Sequence, residues 1–526
     1  KMASSISEQK TLEKKIKSFA IFSRFSIMLL QVVFNVTIPD HDAMVFNPPS
    51  SQDEHSNSVD RLVWIVLGGL KRWDGIYFLH IAEHGYSYEN CLAFFPLFPW
   101  FVWAVSNSVL YPLQFLLNYP TVILLGAVFI NYYLFIKSAI LLFRLGMKVT
   151  ENDTISFKAA LLFCINPASI FMSAPYSEIL YLYLSLQGML NVEITQNLIG
   201  SILFGLGSAT RSNGLLNTGY ILCQYLQTMP SQLYETFKGM MFSFMTLIFR
   251  IFVIISVYVI PKLIILCLST MPFWLYQFYS YHLFCTARDF TQISKSVQDY
   301  GRKMGYRLVG DGLSSWCNES VPLAYSYIQK HHWNLGLFRY YEFKQIPNFV
   351  LALPVTVLCL SMVVSFYRYD HDVLRTFGLK LKYSMKNRMN EKDKEIYTFQ
   401  GYKLFPYIVH TMTLMIFSWL FIHTQVLTRL LFSSCPVLYW YCAHLITQRA
   451  MSRPKVNKYD IVSQLGQRAL YTVEDSTVPT STLRNILTTQ ILQFKSQDLV
   501  TQLVLLYFLA YFILGTALFS NFLPWT

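Results

Sequence analysis

The chain alternates long apolar stretches with short polar ones, and that alternation predicts most of its elements. Apolar runs cover 19–38, 92–111, 119–143, 158–192, 197–227, 239–268, 271–285, 346–367, 404–423, 426–447 and 500–523. A bilayer core about 30 Å thick takes a helix of roughly 20 apolar residues, so the pattern predicts about nine to twelve spans. Asn166-Pro167 and Pro175 interrupt two of the runs. Broken helices at membrane depth are tolerated where they line a cavity or are buried in protein, which leaves the topology between 144 and 230 open. The segment 59–70 is apolar but too short to span, and it is placed in the interface.

The stretch Lys71–Trp100 differs from its neighbours by packing acids, histidines and aromatics between apolar runs. At about 100° per residue, a helix from Trp73 to His84 puts Trp73, Tyr77, His80 and His84 on one stripe, with Asp74 at its edge. Phe78, Leu79 and Ala82 fall on the other side. Such a helix is expected at the membrane surface, apolar side down and ionisable side toward something polar. Gly85 is its expected stop.

Composition supports an all-α polytopic membrane protein. Of 526 residues, 54% are hydrophobic, 17% aromatic and only 13% charged, against roughly 25% charged in soluble domains. The net charge of +13 does not imply nucleic acid, because the basic residues cluster in loops between spans. Residues 1–18, with five lysines and two glutamates, are placed in the cytosol. The run 18–38 is read as a retained first span, not a cleaved leader. The next loop, 39–91, has eight acids and three basic residues and falls on the opposite, lumenal side. The polar loop 286–345 is also placed there. Loop 368–403, with nine Lys/Arg against five acids, is cytosolic, as is 448–498. Residues 19–526 are then one membrane domain. Nine cysteines form no CxxC pattern. A Cys285–Cys317 disulfide is open if their loop is lumenal. Of the sequons Asn35, Asn152 and Asn318, the last is the best glycosylation candidate.

Candidate chemistry centres on Asp40 and Asp74, two carboxylates at a membrane boundary on one predicted side. Either can serve as a general base; a solvated loop acid or, for Asp74, a helix cap are the plain structural alternatives. Asp40-His41-Asp42 has the DxD form that holds a metal and a nucleotide diphosphate, but a three-residue match is weak and no metal is expected. His80, Glu83 and His84 have the spacing of two metal ligands without a third, so hydrogen bonding to sugar or phosphate is the expected role. Arg211, after a glycine-rich apolar run, suits a phosphate; a snorkelling helix-end arginine is the alternative. Glu178, beside the broken span, is expected to bind sugar hydroxyls or pair with Arg211. Trp333 and the Lys344-Gln345 pair precede a span, where they contact sugar or form an interfacial belt. No Walker A, dinucleotide-binding glycine or nucleophile-elbow motif is present.

Nine short motifs occur in order: Ile38-Pro-Asp-His41, Arg72-Trp-Asp-Gly75, Ala82-Glu-His-Gly-Tyr86, Ala93-Phe-Phe-Pro-Leu-Phe-Pro99, Asn166-Pro-Ala-Ser169, Tyr176-Ser-Glu178, Thr210-Arg-Ser-Asn-Gly214, Lys344-Gln-Ile-Pro-Asn-Phe349 and Asn521-Phe-Leu-Pro-Trp-Thr526. Together they resemble the PIG-V family of GPI mannosyltransferases, from about residue 20 to the end of the chain. The resemblance implies a GT-C type multi-span helical bundle with lumenal interfacial helices, in the endoplasmic reticulum membrane. It implies transfer of the second mannose, in α1,6 linkage, from dolichol-phosphate-mannose to a mannosyl-glucosaminyl-(acyl)phosphatidylinositol. Inversion of a β-linked donor needs one base and a cradle for the departing phosphate, and no cofactor. The family's acid in the first lumenal loop maps onto Asp40 or Asp74. Asp40 is expected to be the base and Asp74 to orient it, with the reverse left open. Trp73, His41, Tyr77, His80, Glu83, His84, Glu178, Arg211, Asn213, Trp333, Lys344 and Gln345 are the expected substrate contacts. Expected partners are the two lipid substrates, membrane lipids and an accessory subunit, with no nucleic acid. A lipid transporter or scramblase, another dolichol-phosphate-sugar-dependent transferase and a non-catalytic complex subunit are the competing readings.

Overall fold

The computed structural model describes residues 2–43, 45–49, 57–238, 244–286, 293–376, 399, 401–451, 487, 490–491 and 493–525. Most of loops 368–403 and 448–498 therefore lies outside the described residues. The described chain is helical, with a lone antiparallel bridge between Tyr88 and Leu308. Its first helix, α1 (Met2–Thr37), runs from the lysine-rich start through the first apolar run. The first loop then holds α2 (Ser58–Leu67), α3 (Asp74–His84) and α4 (Leu97–Ser106). The central helix α5 (Tyr119–Val149) packs on α1, α6 (Asp153–Cys164) and α7 (Glu178–Glu193). α8 (Asn197–Ser208) and α9 (Thr218–Phe237) follow, then α10 (Phe244–Val253) and α11 (Ile260–Cys285) joined by a π-helical stretch. α12 (Lys295–Lys303) and α13 (Ala324–His332) lie in the second large loop. α14 (Ile346–Arg375), α15 (Phe405–Phe421), α16 (Leu427–Phe432), α17 (Pro436–Met451) and α18 (Leu499–Ser520) complete the bundle.

Local chemistry sets several of these boundaries. Asn57 and Asp60 form a reciprocal capping box that starts α2. Asn152 accepts the Ile155 N–H to open α6, and Asp498 accepts two N–H groups to open α18. Gly85, at φ +68°, ends α3 where that backbone conformation favours glycine.

Among the described residues six helices are long and apolar enough to cross a membrane. They lie within Ser7–Thr37, Tyr119–Val149, Met245–Cys285, Phe343–Arg368, Tyr402–Phe421 and Leu499–Ser520, and a seventh results if Thr424–Phe432 and Pro436–Thr447, bent by 82°, are taken together. Runs 158–192 and 197–227, where the sequence leaves the topology open, do not form continuous helices. The first breaks between α6 and α7, and the second folds into α8, a tight turn at 212–217 and α9.

The two large loops pack together. Tyr88 O–H donates to the Val297 carbonyl at 2.7 Å, and Trp316 Nε1 donates to buried Glu89 at 2.9 Å. Cys285 and Cys317 form a disulfide in the second loop, with Cα atoms 5.6 Å apart. The end of α18 is tied to the first loop, since Arg72 Nε donates to the Ser520 carbonyl at 2.9 Å and the His41 N–H to the Asn521 carbonyl at 2.9 Å.

Gly214 sits where the 212–217 turn crosses α8, and a Cβ there would stand 2.6 Å from the backbone of Gly207 and Ser208. Gly214→Ala is expected to destabilise by about 1–3 kcal/mol through overpacking. Gly219→Ala, with nothing within 4 Å of the added atom, is expected to be silent. Thermal unfolding of the purified protein in detergent checks both; equal melting temperatures would remove the proposed close crossing.

A candidate active site of paired acids and arginines

α3 begins in a constrained way. Trp73 precedes it at φ +50°, a region that costs a bulky residue of order 1–3 kcal/mol. The Asp74 N–H donates to Tyr176 O–H at 3.1 Å, and Gly75 lies against the Tyr176 ring. The Asp74 carboxylate does not cap the helix. It points instead to Arg429 on α16, at 2.9 Å.

Arg429 is the hub of the site. Its Nε lies 2.9 Å from Glu178, the first residue of α7, which has no exposed side-chain surface. Glu178 also ion-pairs with Arg211, which precedes the 212–217 turn. Two carboxylates and two guanidinium groups thus form a chain, Asp74–Arg429–Glu178–Arg211, whose formal charges cancel. The Phe171 and Tyr176 rings lie 5.2 and 5.3 Å from the Arg429 guanidinium. Arg429 also lines a cavity of about 20 Å³ with Thr428 and Trp525, room for about one water.

The sequence leaves Glu178 either binding sugar hydroxyls or pairing with Arg211, and the structure shows the pair; Asp74, one of its two candidate bases, stands against Arg429. Sequence reasoning missed Arg429, which was passed over inside the apolar run 426–447. The signal was present, because a lone arginine at membrane depth marks function by the same rule that selected Arg211.

Asp40 lies elsewhere. Its carboxylate is half-exposed and pairs with Arg72 at 3.1 Å. Arg72 also donates to Asn35, and its guanidinium packs 4.3 Å from the Phe522 ring. His41 is beside it, held by its backbone to Asn521.

The expected polar stripe of α3 is a correction. Both sides of the helix are covered, because Phe46, Ser87, Tyr88 and Phe94 from the chain on either side of it, with Trp333 of the second loop, pack over the side expected to face something polar. Tyr77 is sandwiched between Phe46 and Phe94, with centroids at 3.9 and 4.5 Å. His80 is buried, bonded to Ser87 at 2.7 Å and stacked on Tyr88. Glu83 and His84 pair at 3.5 Å. Trp333 stands 6.3 Å from Tyr77 and 6.0 Å from Phe94. Asn213 donates to Ser434 at 3.1 Å. Lys344 pairs with Glu342 on the surface, and Gln345 accepts from Asn348. The structure thus joins Asp74, Glu178 and Arg211 through Arg429, and among the described residues His80, His84, Lys344 and Gln345 make their contacts outside that chain. Among the described residues no group of three or more His, Cys, Asp or Glu is arranged to hold a metal.

A helical bundle of several apolar helices, with charged side chains gathered at the breaks between them, defines a multi-pass membrane protein with an internal polar site. A family model described as mannosyltransferase (PIG-V) matches residues 13–526. The rat protein named GPI alpha-1,6-mannosyltransferase 2 is 37% identical over 520 residues, covering 98% of this chain and 99% of the relative. Its human counterpart is 36% identical over 525 residues, 98% of each. GPI mannosyltransferase 2 of Drosophila melanogaster is 35% identical over 438 residues, 82% of this chain and 91% of the relative. A solved oligosaccharyltransferase from Archaeoglobus fulgidus aligns with 95% of this chain and 55% of its own at 11% identity, with a TM-score of 0.39, too low to bear on the fold. The chain belongs to the PIG-V family of mannosyltransferases.

Removing Arg429 takes one of two arginine partners from buried Glu178 and the ion partner from part-exposed Asp74, so Arg429→Gln is expected to cost about 1–3 kcal/mol. Adding Glu178→Gln should recover much of that loss. Detergent melting curves of the single and double variants check this; a single variant as stable as wild type would show that the ion chain does not tie the elements together.

Burial holds the His80 imidazole well below its usual 6.5, helped by His84 and Lys71, and it shifts His84 in the same direction despite Glu83. Both favour the neutral ring in the folded state. Their contribution is therefore complete above about pH 6.5 and is lost as pH falls below it, because the unfolded chain takes up protons the folded one resists. The melting temperature should drop between about pH 7.5 and 5, and His80→Gln should flatten part of that drop. A pH-independent difference between the two proteins would contradict it.

Proposed function

We propose that this mannosyltransferase acts in GPI-anchor biosynthesis, transferring the second mannose in α1,6 linkage from dolichol-phosphate-mannose to a mannosyl-glucosaminyl-(acyl)phosphatidylinositol. The names of its relatives support the acceptor and linkage. Membership of a transferase family favours this over lipid transport. The observation that carries the mechanism is the direct contact between the Asp74 carboxylate and Arg429, in a chain that ends at Arg211. It puts a proton acceptor and an anion cradle side by side. Asp74 takes the proton of the acceptor 6-hydroxyl as its oxygen forms a bond to the mannose anomeric carbon. The bond from that carbon to the phosphate oxygen breaks, and the electron pair leaves with the phosphate. Arg211 and Arg429 stabilise the growing phosphate charge. One displacement of a β-linked donor inverts the centre and gives the α product.

This assigns the base to Asp74, the alternative left open in the sequence, and keeps Asp40 as an orienting group. Asp40 is half in solvent and paired with Arg72, and among the described residues it makes no ion pair with Arg211 or Arg429. The site is placed on the lumenal side of the endoplasmic reticulum membrane. Supporting this, the second loop, whose Trp333 stands against Tyr77 of α3, is joined to the end of α11 by the Cys285–Cys317 disulfide, a bond that persists in oxidising compartments.

Cells lacking the second GPI mannosyltransferase provide the test. The wild-type chain should restore surface GPI-anchored protein, whereas Asp74→Ala should lower transfer by about 10²–10⁴-fold, the usual worth of a general base. Asp40→Ala should retain the larger part of activity. Full rescue by Asp74→Ala would end the assignment, and rescue by neither wild type nor variants would end the proposed reaction.

A further inference from the structure

Arg24 is a second arginine inside the bundle, at the middle of α1 and only 1% exposed. Among the described residues no acid is ion-paired with it. Charged groups at this depth are costly and are normally paired or functional. Here the donors go to one short stretch of chain. Nη1 donates to the Ser169 carbonyl at 2.9 Å and to Ser173 Oγ at 2.6 Å. Nη2 donates to Ser169 Oγ at 2.7 Å, to Ser23 Oγ at 3.0 Å and to the Cys164 carbonyl at 3.4 Å. The Phe135 ring covers the guanidinium at 3.6 Å. Both Nη groups are thus fully engaged with protein, and the remaining Nε is buried without a hydrogen-bond partner among the described residues, so the group is committed to the fold and not turned to substrate.

The stretch it holds is the break between α6 and α7. Where a helix stops inside an apolar bundle, its last carbonyls have no intrahelical partners and no water. Arg24, with five N–H donors in a fixed fork, and Asn131 supply them. Asn131 donates to the carbonyls of Ala174 and Tyr176, the latter at 3.1 Å. Two residues later the same segment delivers Glu178, and Tyr176 receives the Asp74 N–H. We propose that Arg24 is a positioning residue for mannose transfer: from the opposite side of residues 164–177 it fixes where Tyr176 and Glu178 stand, and through them Arg429 and Asp74. The inference rests on the reading of those residues as the reaction site.

The experiment uses the full-length chain in detergent, with dolichol-phosphate-mannose and the mannosyl-GPI acceptor, normalised to folded protein. Arg24→Gln should lower kcat by roughly 10- to 100-fold, the scale of an ångström-size misplacement, with both KM values within about threefold. Arg24→Lys, which keeps the charge and some donors, should recover part of the rate. Should Arg24→Gln fail to fold, Ser173→Ala removes a single contact and should still lower kcat by about three- to tenfold. Wild-type kcat in the Arg24→Gln and Ser173→Ala proteins, or losses that vanish on normalisation, would overturn the role. If Glu178→Gln is itself fully active, the site reading fails; if Glu178→Gln is inactive while Arg24→Gln is normal, only the positioning role fails.

Discussion

A carboxylate with no exposed surface, inside a bundle that is mostly hydrocarbon-facing, must be neutralised by close partners or it will not be tolerated. Glu178 is that carboxylate. Its two arginine partners come from distant parts of the chain, one after α8 and one from α16, and the second reaches Asp74 at the start of α3. Four segments that are not sequential are therefore fixed relative to one another by one charge requirement. The ion chain is not there for stability alone, since well-packed apolar side chains would usually serve as well.

The same requirement explains why the helices break where they do. A continuous helix through 158–193 would keep every backbone group satisfied but could not end and restart to turn Tyr176 and Glu178 toward α3. The break exposes carbonyls, and side chains from α1 and α5 fill that need. The turn at 212–217 does the same for Arg211, with Gly214 allowing backbone to cross backbone. Strain is placed nearby as well. Trp73 and Phe522 both hold positive φ, and their rings meet at 5.9 Å beside Arg72.

How much of this the sequence revealed follows the physics of each signal. Apolar length predicts α1, α5 and α18 well, because their runs have no internal breaker. It fails at 158–227, where Pro and Asn interrupt the pattern and only tertiary partners decide whether the helix continues. The limits of α3 were legible from Gly85 and the aromatic spacing, but its environment was not. Periodicity says which residues share a side, not what covers that side, and here Phe46, Tyr88 and Phe94 fold back over it, joined by Trp333 from more than 200 positions away. Glu178 and Arg211 were visible as charges beside broken spans. Arg24 and Arg429 obey the same rule but lie inside apolar runs with no proline break beside them, so a search for isolated charges inside apolar runs would have found all four.

Charge balance gives a reason for a paired site in a reaction of this kind. The proposed donor brings one negative charge on its phosphodiester, and the four side chains together bring none. As the acceptor proton moves to Asp74, one negative charge disappears there. As the carbon–oxygen bond breaks, one appears on the departing phosphate. In the proposed step the total is unchanged, and the charge lost at Asp74, the carboxylate paired with Arg429, reappears on the phosphate. In water such a shift would require the solvent to reorient. In a buried site an arginine already held between Asp74 and Glu178 supplies compensation in advance, which is where preorganised electrostatics contributes most. A single exposed pair such as Asp40–Arg72 cannot do this, because solvent competes for both partners and screens what passes between them.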